Sequence, residues 1–376
     1  MVIEHTLPGS LSALARPLRL AGLALRNRIV MAPMTRERAP EGIPTNEMAD
    51  YYARRGEGGV GLIVTEGAAP NEEGRFGNNV PRLFGADAMA GWAIVVRRVH
   101  AAGAAIFAQI WHVGAFTPSM VGMTDSLTVE RVSPSGLAAP GLRHGRAMTA
   151  SDIDRTIADH AKAARLAREV GFDGIEIHGA HGYLPDQFFW AETNRRDDGY
   201  GGDPAARSRF AAEMVRACKS RAGADFPVVL RLSQWKQHDY LSHVADSPEE
   251  LSRWLSPLVE AGVDGFHVST RRFWDAAFPG SEETLAGWVR RLTGKPVIAV
   301  GSVLLNIDFK APEGKLRASL VPETLQRAAE GIEEGEFDLI ALGRSLLANP
   351  DLVRRVLSGD MAELKNYDRS HLDSLI

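Results

Sequence analysis

Residues 151–184 read SDIDRTIADHAKAARLAREVGFDGIEIHGAHGYL, and they hold one complete repeat of the fold. Ile153, Ile157, Ala161, Ala164 and Ala167 recur at three and four residues, which predicts a helix over Ser151–Val170. Thr149 or Ser151 can cap its start and Gly171 can end it. Gly174–His178 (GIEIH) then forms a short apolar, β-branched run of strand length. Seven similar runs lie at Arg28–Met34, Gly61–Glu66, Ala105–Trp111, Val228–Ser233, Gly265–Thr270, Pro296–Gly301 and Leu339–Gly343. Further helical spacing falls at Asp203–Ala222, Ser247–Ala261 and Pro322–Glu334. Eight strands in alternation with helices predict an α/β fold, a parallel (β/α)8 TIM barrel over residues 1–376 as a single domain.

Two pieces stand outside the repeat. Residues 17–29 predict a small hairpin turning at Ala21–Gly22, placed to plug the bottom of the barrel. Residues 113–148, rich in Pro, Gly, Ser and Met, follow the third strand and predict a long capping loop at the C-terminal face, where such barrels do chemistry.

Composition narrows the class. Of 376 residues, 45% are apolar and 24% charged, as a folded globular chain requires. The net charge of −4 carries no nucleic-acid footprint. One cysteine, Cys218, excludes an internal disulfide and a cysteine-ligated iron–sulfur cluster. No apolar run reaches the length of a membrane span, and Glu4, His5 and Pro8 do not suit a signal peptide, so the expectation is a cytoplasmic protein away from membranes.

The strand ends carry the chemistry. His178 ends the fourth strand, and a turn permitted by Gly179 and Gly182 can bring His181 and Tyr183 beside it. Two imidazoles could grip one substrate oxygen, and a phenol with a reference pKa of ~10 can give a proton at neutral pH. A structural histidine pair and a metal site remain open readings, the latter without a clear third ligand. Arg231 sits inside an apolar strand and needs an anionic or polar partner. Glu66 and Glu176 are candidates within the barrel, and a ligand that gains negative charge is the alternative. Gln109 on the third strand can hydrogen-bond both a donor and an acceptor edge. Gly301–Ser302 and Gly343–Arg344 end the seventh and eighth strands, the usual phosphate site of these barrels.

These residues resemble the Old Yellow Enzyme family of FMN-dependent NAD(P)H:acceptor oxidoreductases, the ene-reductases. The resemblance runs from about Leu14 to Leu357. It is most specific at Asn27–Arg36 (NRIVMAPMTR), Gln109–Gly114 (QIWHVG), His178–Gly202 (HGAHGYLPDQFFWAETNRRDDGYGG) and Ala341–Leu352 (ALGRSLLANPDL). It implies FMN over the barrel mouth. Pro33, Met34 and Thr35 would line the flavin ring, Gly67 and Gln109 would meet its polar edge, and Arg231 would neutralise the N1–O2 side of the reduced flavin. Gly301, Ser302, Gly343 and Arg344 would hold the phosphate. His178 and His181 would bind the acceptor's carbonyl or nitro oxygen, Trp111 would shape the pocket and Tyr183 would donate the proton. Many relatives carry Asn where this chain has His181, and an imidazolium there would alter the pH profile.

The implied activity is ping-pong reduction of enones, nitro compounds or quinones, with NAD(P)H as co-substrate in the same pocket. No G-x-G-x-x-G opens a helix after a strand, so no separate Rossmann domain is expected. Two alternatives belong to other classes: a metal-dependent hydrolase or lyase using His178 and His181, and a non-catalytic flavin-binding sensor. A homo-oligomer is compatible with the chain. The Arg271–Arg272–Phe273–Trp274 segment reads either as an overhang above the substrate or as a solvated basic pair beside packed aromatics.

Overall fold

The computed structural model describes residues 11–122, 126–306 and 319–376. The first ten residues, on which the signal-peptide reading rests, lie outside them, as do residues 123–125 of the capping segment. Eight parallel strands close into a barrel: β1 (Ile29–Met31), β2 (Leu62–Ala68), β3 (Ala105–Ile110), β4 (Gly174–His181), β5 (Val228–Lys236), β6 (Gly265–Ser269), β7 (Val297–Val300) and β8 (Leu339–Leu342). Each strand pairs with its chain neighbours, and Ile340 of β8 opposite Ile29 of β1 closes the ring. The first strand is shorter than the apolar run predicts. Ala32 still donates to Leu342 at 2.9 Å, and the pairing stops where Pro33 removes the next N–H.

The outer helices are α1 (Asn46–Glu57), α2 (Ala86–Ala101), α3 (Ala150–Val170), α4 (Pro204–Ala222), α5 (Pro248–Glu260), α6 (Leu285–Thr293), α7 (Glu323–Glu333) and α8 (Leu352–Ser358). Their starts follow the capping residues. Thr149 accepts from Asp152 N–H while Asp152 accepts from Thr149 N–H, a reciprocal capping box at α3. Asp203 caps α4 and Ser247 caps α5. Gly171 ends α3 in the left-handed region (φ +100°), which its missing Cβ permits.

Apolar side chains fill two layers. The larger lies between the barrel and its helices. The smaller fills the lower barrel with Val30, Leu62, Val64, Phe107, Val229, Ile298 and Leu339. The predicted hairpin pairs Leu18–Leu20 with Leu23–Leu25 and inserts Leu20 and Leu25 into that inner layer, so it closes the bottom. With one end filled by side chains, the open end at the strand C-termini is left for a ligand.

The segment after β3 is more structured than a plain loop. Val132–Ser133 pairs with Arg146–Ala147, and Leu137–Ala139 with Leu142–Arg143. Its Phe116 joins Phe76, Val80, Trp111, Val113 and Tyr183 in a small apolar cluster at the barrel mouth. No helix among the described residues is long and apolar enough to cross a membrane.

Candidate active site

The inward side chains of β3 to β6 form a polar layer above the apolar one. Glu176 is its centre. It takes a hydrogen bond from Gln109 Nε2 at 2.7 Å and one from His267 Nδ1 at 2.6 Å, all three groups being buried. Burial opposes ionisation of Glu176. The His267 contact, the Arg231 cation and the Gln109 bond outweigh it and hold the carboxyl below its ordinary range. Gln109 therefore spends one amide proton on Glu176 rather than keeping both for a ligand. Sequence reasoning missed His267, although a histidine inside GFHVS is a polar intruder of the same kind as Arg231.

Arg231 lies opposite His178 on one side and His267 on the other. Its guanidinium is buried, Nε has no hydrogen-bond partner, and Glu176 acts on it only through its field. A buried cation without a direct anion is costly. The atom set thus fits a planar ligand edge that accepts hydrogen bonds and gathers negative charge, as the N1–O2 side of FMN does.

Glu66 does not share this interior. A bulge between Val64 and Gly67 turns it outward, where it accepts from Arg36 N–H at 3.1 Å and contacts Tyr52 Oη at 3.3 Å. Burial pushes its carboxyl up to about 7, against the Arg36 and Tyr52 contacts. A raised carboxyl means that the folded state binds the extra proton between about 4.5 and 7. Stability from this group is present below that window and is lost as pH rises through it. Glu66→Gln should flatten the fall in urea midpoint between pH 5 and pH 8, by an amount worth ~1–3 kcal/mol. Equal falls in parent and variant would exclude Glu66 as the titrating group.

Both imidazoles come together, though not by a turn after His178. Strand β4 runs on to His181, and its pairing with β5 shifts between Gly179 and His181. At that bulge His181 adopts φ +66°, the left-handed region that Asn and His enter more readily than most residues. The same backbone position thus suits either side chain. The shift cancels the strand's alternation and leaves the two rings 5.2 Å apart, edge to face. Burial lowers both histidines well below their ordinary value, with Arg231 adding to the effect, so neither is an imidazolium at neutral pH. Among the described residues, no cluster of three or more His, Cys, Asp or Glu could hold a metal ion, so the metal reading gains no third ligand.

Tyr183 follows at the start of a short helix, Leu184–Phe189. Its ring lies 4.9 Å from His178, 4.9 Å from Trp111 and 5.0 Å from Phe116, each edge to face. Burial drives its phenol above the ordinary range, offset in part by Arg231 and a Gln237 hydrogen bond, so it stays protonated. A buried ion pair that the sequence alone does not reveal fixes this turn. Lys236 Nζ meets Asp186 Oδ1 at 2.8 Å, and Asp186 Oδ2 accepts from Gly182 N–H at 2.6 Å.

The remaining expected residues ring the mouth. Pro33 and Met34 are half-buried and Thr35 is exposed just past β1. Gly67 is required by packing: a Cβ there would sit 2.5 Å from the Trp111 ring. Gly301 is likewise demanded by the β6 loop, since a Cβ would lie 2.7 Å from the Thr270 carbonyl oxygen. Ser302, at φ +51°, donates its hydroxyl to the Arg271 carbonyl at 2.8 Å. Gly343 precedes the short helix Arg344–Ala348, and Arg344 lies over the Tyr367 ring at 5.7 Å. In the 271–274 segment Phe273 packs inward against Phe337 and Trp274, whereas Arg271 lies over Tyr240 and Arg272 is exposed.

A family model described as the NADH:flavin oxidoreductase / NADH oxidase family matches residues 13–363. Chanoclavine-I aldehyde reductase ifgG of Penicillium roqueforti (strain FM164) is 34% identical over 368 residues, which cover 95% of this chain and 90% of that protein. The structure of morphinone reductase in complex with tetrahydroNAD matches with a TM-score of 0.78 at 29% identity, over 96% of this chain and 94% of that one. The Old Yellow Enzyme homologue from Zymomonas mobilis gives a TM-score of 0.77 at 29% identity, over 96% of both chains.

Proposed function

The chain belongs to the Old Yellow Enzyme family of NADH:flavin oxidoreductases, so it is an FMN-dependent oxidoreductase that uses NAD(P)H, and on that premise we propose that it reduces activated alkenes such as enones, with nitro compounds or quinones as further acceptors. The observation that carries the alkene reading is the convergence of two neutral imidazoles and one protonated phenol, all buried, with the His178 ring 5.2 Å from His181 and 4.9 Å from Tyr183.

Bound FMN would supply the hydride chemistry between NAD(P)H and the acceptor. Arg231 would answer the charge at the flavin's N1–O2 edge and Gln109 would meet its polar side, while Pro33, Met34, Thr35 and Gly67 would border the ring. Gly301, Ser302, Gly343 and Arg344 would take the phosphate end. His178 and His181 hydrogen-bond the acceptor oxygen and stabilise the charge that builds there. Tyr183 gives its proton to the α-carbon. Trp111 and Phe116 keep that phenol packed and dry. The hydrolase reading needs a metal for which the histidine pair offers only two ligands, and the sensor reading leaves the phenol without a purpose.

The deciding experiment is an anaerobic titration of the yellow protein with NADH and NADPH, followed by a panel of enones, nitro compounds and maleimides. Bleaching by the nicotinamide and recovery of colour with enones are expected. Recovery with dioxygen or quinones alone would remove the alkene assignment.

A further inference from the structure

His181 is held on three sides, and the hold distinguishes its two nitrogens. Ser233 Oγ accepts the His181 backbone N–H at 3.0 Å and donates to the Trp235 carbonyl at 2.7 Å. The Trp235 ring stacks on the imidazole at 4.2 Å and 29°. Trp235 Nε1–H in turn donates to the Ser269 carbonyl at 3.1 Å. The Ser269 hydroxyl then meets His181 Nε2 at 2.8 Å. By contrast, Nδ1 has no protein partner among the described residues and is not sealed from solvent. It is the nitrogen left to face a ligand.

We propose that Ser269 is a positioning residue that donates its hydroxyl proton to His181 Nε2, fixing the Nδ1–H tautomer so that Nδ1–H is what His181 offers to the acceptor oxygen. This rests on the reading of His181 as a donor to that oxygen. Ser269 is buried, and Nε2 is the sole acceptor its hydroxyl meets among the described residues. The opposite arrangement, with Nε2–H donating to Ser269, strands a buried hydroxyl proton and turns a lone pair on Nδ1 toward the ligand. A lone pair there repels an oxygen that is gaining negative charge. The argument needs a neutral ring. Burial supplies that condition, reinforced by the cationic field of Arg231 and Lys236 and by the neighbouring His178 and His267. Ser269 acts through His181 and need not touch substrate.

The test uses holoenzyme labelled with ¹⁵N-histidine. Long-range ¹H–¹⁵N spectra identify the His181 signals by their loss in His181→Asn. The expected parent spectrum has a protonated Nδ1 and an unprotonated Nε2. Ser269→Ala should shift the ring toward the Nε2–H form that free histidine favours. It should also weaken binding of a simple phenol about tenfold, read from its long-wavelength band. Ser269→Thr keeps the hydroxyl and should restore both readings, which a merely structural role for the side chain would not predict. A protonated Nε2 in the parent overturns the proposal. So does phenol affinity that falls in His181→Ala but not in Ser269→Ala. If the tautomer is as stated and neither variant changes phenol affinity, the failure lies with the oxygen-binding role of His181.

Discussion

His178→Ala should lower kcat with a weakly activated enone by ~10²–10³-fold while FMN content stays at the parental level. The imidazole sits at the mouth end of β4, walled by Tyr183 at 4.9 Å, His181 at 5.2 Å and Trp111 at 6.1 Å. These neighbours fix the ring before any acceptor arrives, so no reorganisation is charged to the reaction. A preplaced donor of this kind interacts weakly with a neutral carbonyl and strongly with the oxygen once charge has moved onto it. The loss should therefore fall on kcat more than on KM. Phenols, whose anions mimic that charge, should bind the variant more weakly. The measurement is steady-state kinetics with one enone, beside a phenol titration followed through the flavin spectrum. A rise in KM with kcat unchanged would make His178 a general binding contact. An unchanged kcat/KM would remove it from the oxygen site.

Such a prediction was partly legible in the chain itself. The barrel could be read because each strand is a short β-branched run and each intervening helix carries its period and cap, as at Thr149, Asp203 and Ser247. Those are local signals. The site was legible only as residue types at strand ends. The features that make it work depend on register between strands. The bulge that unites His178 with His181 depends on Lys236 pairing opposite His181. The outward turn of Glu66 depends on the shift between β2 and β3. The Ser269 contact to His181 spans 88 residues, and that of Lys236 to Asp186 spans 50. No periodicity encodes such pairs. His267, a polar residue inside an apolar strand, carries the same signature as Arg231 and is found by the same rule.

The second large effect concerns Tyr183, and it should divide the reaction. Tyr183→Phe deletes one hydroxyl and keeps a ring that packs on Trp111, Phe116 and His178, so FMN binding and the neighbouring histidines should be undisturbed. Bleaching of the bound flavin by NAD(P)H needs no proton from this phenol and should proceed at nearly the parental rate. Recovery of colour with an enone does need one, because saturation of the double bond ends with a proton on the α-carbon. Loss of a positioned general acid costs ~10²–10⁴-fold. Burial holds this phenol above its usual range, which makes it a reluctant acid toward water. Toward a carbon that is gaining negative charge it remains an adequate donor, and the Arg231 field stabilises the phenolate left behind. Quinones, which take up electrons without protonation at carbon, should be reduced by the variant almost as by the parent. Stopped-flow traces of the two half-reactions decide the matter. Equal slowing of both would make Tyr183 a packing residue, and slowing of neither would assign the proton to solvent or to another side chain.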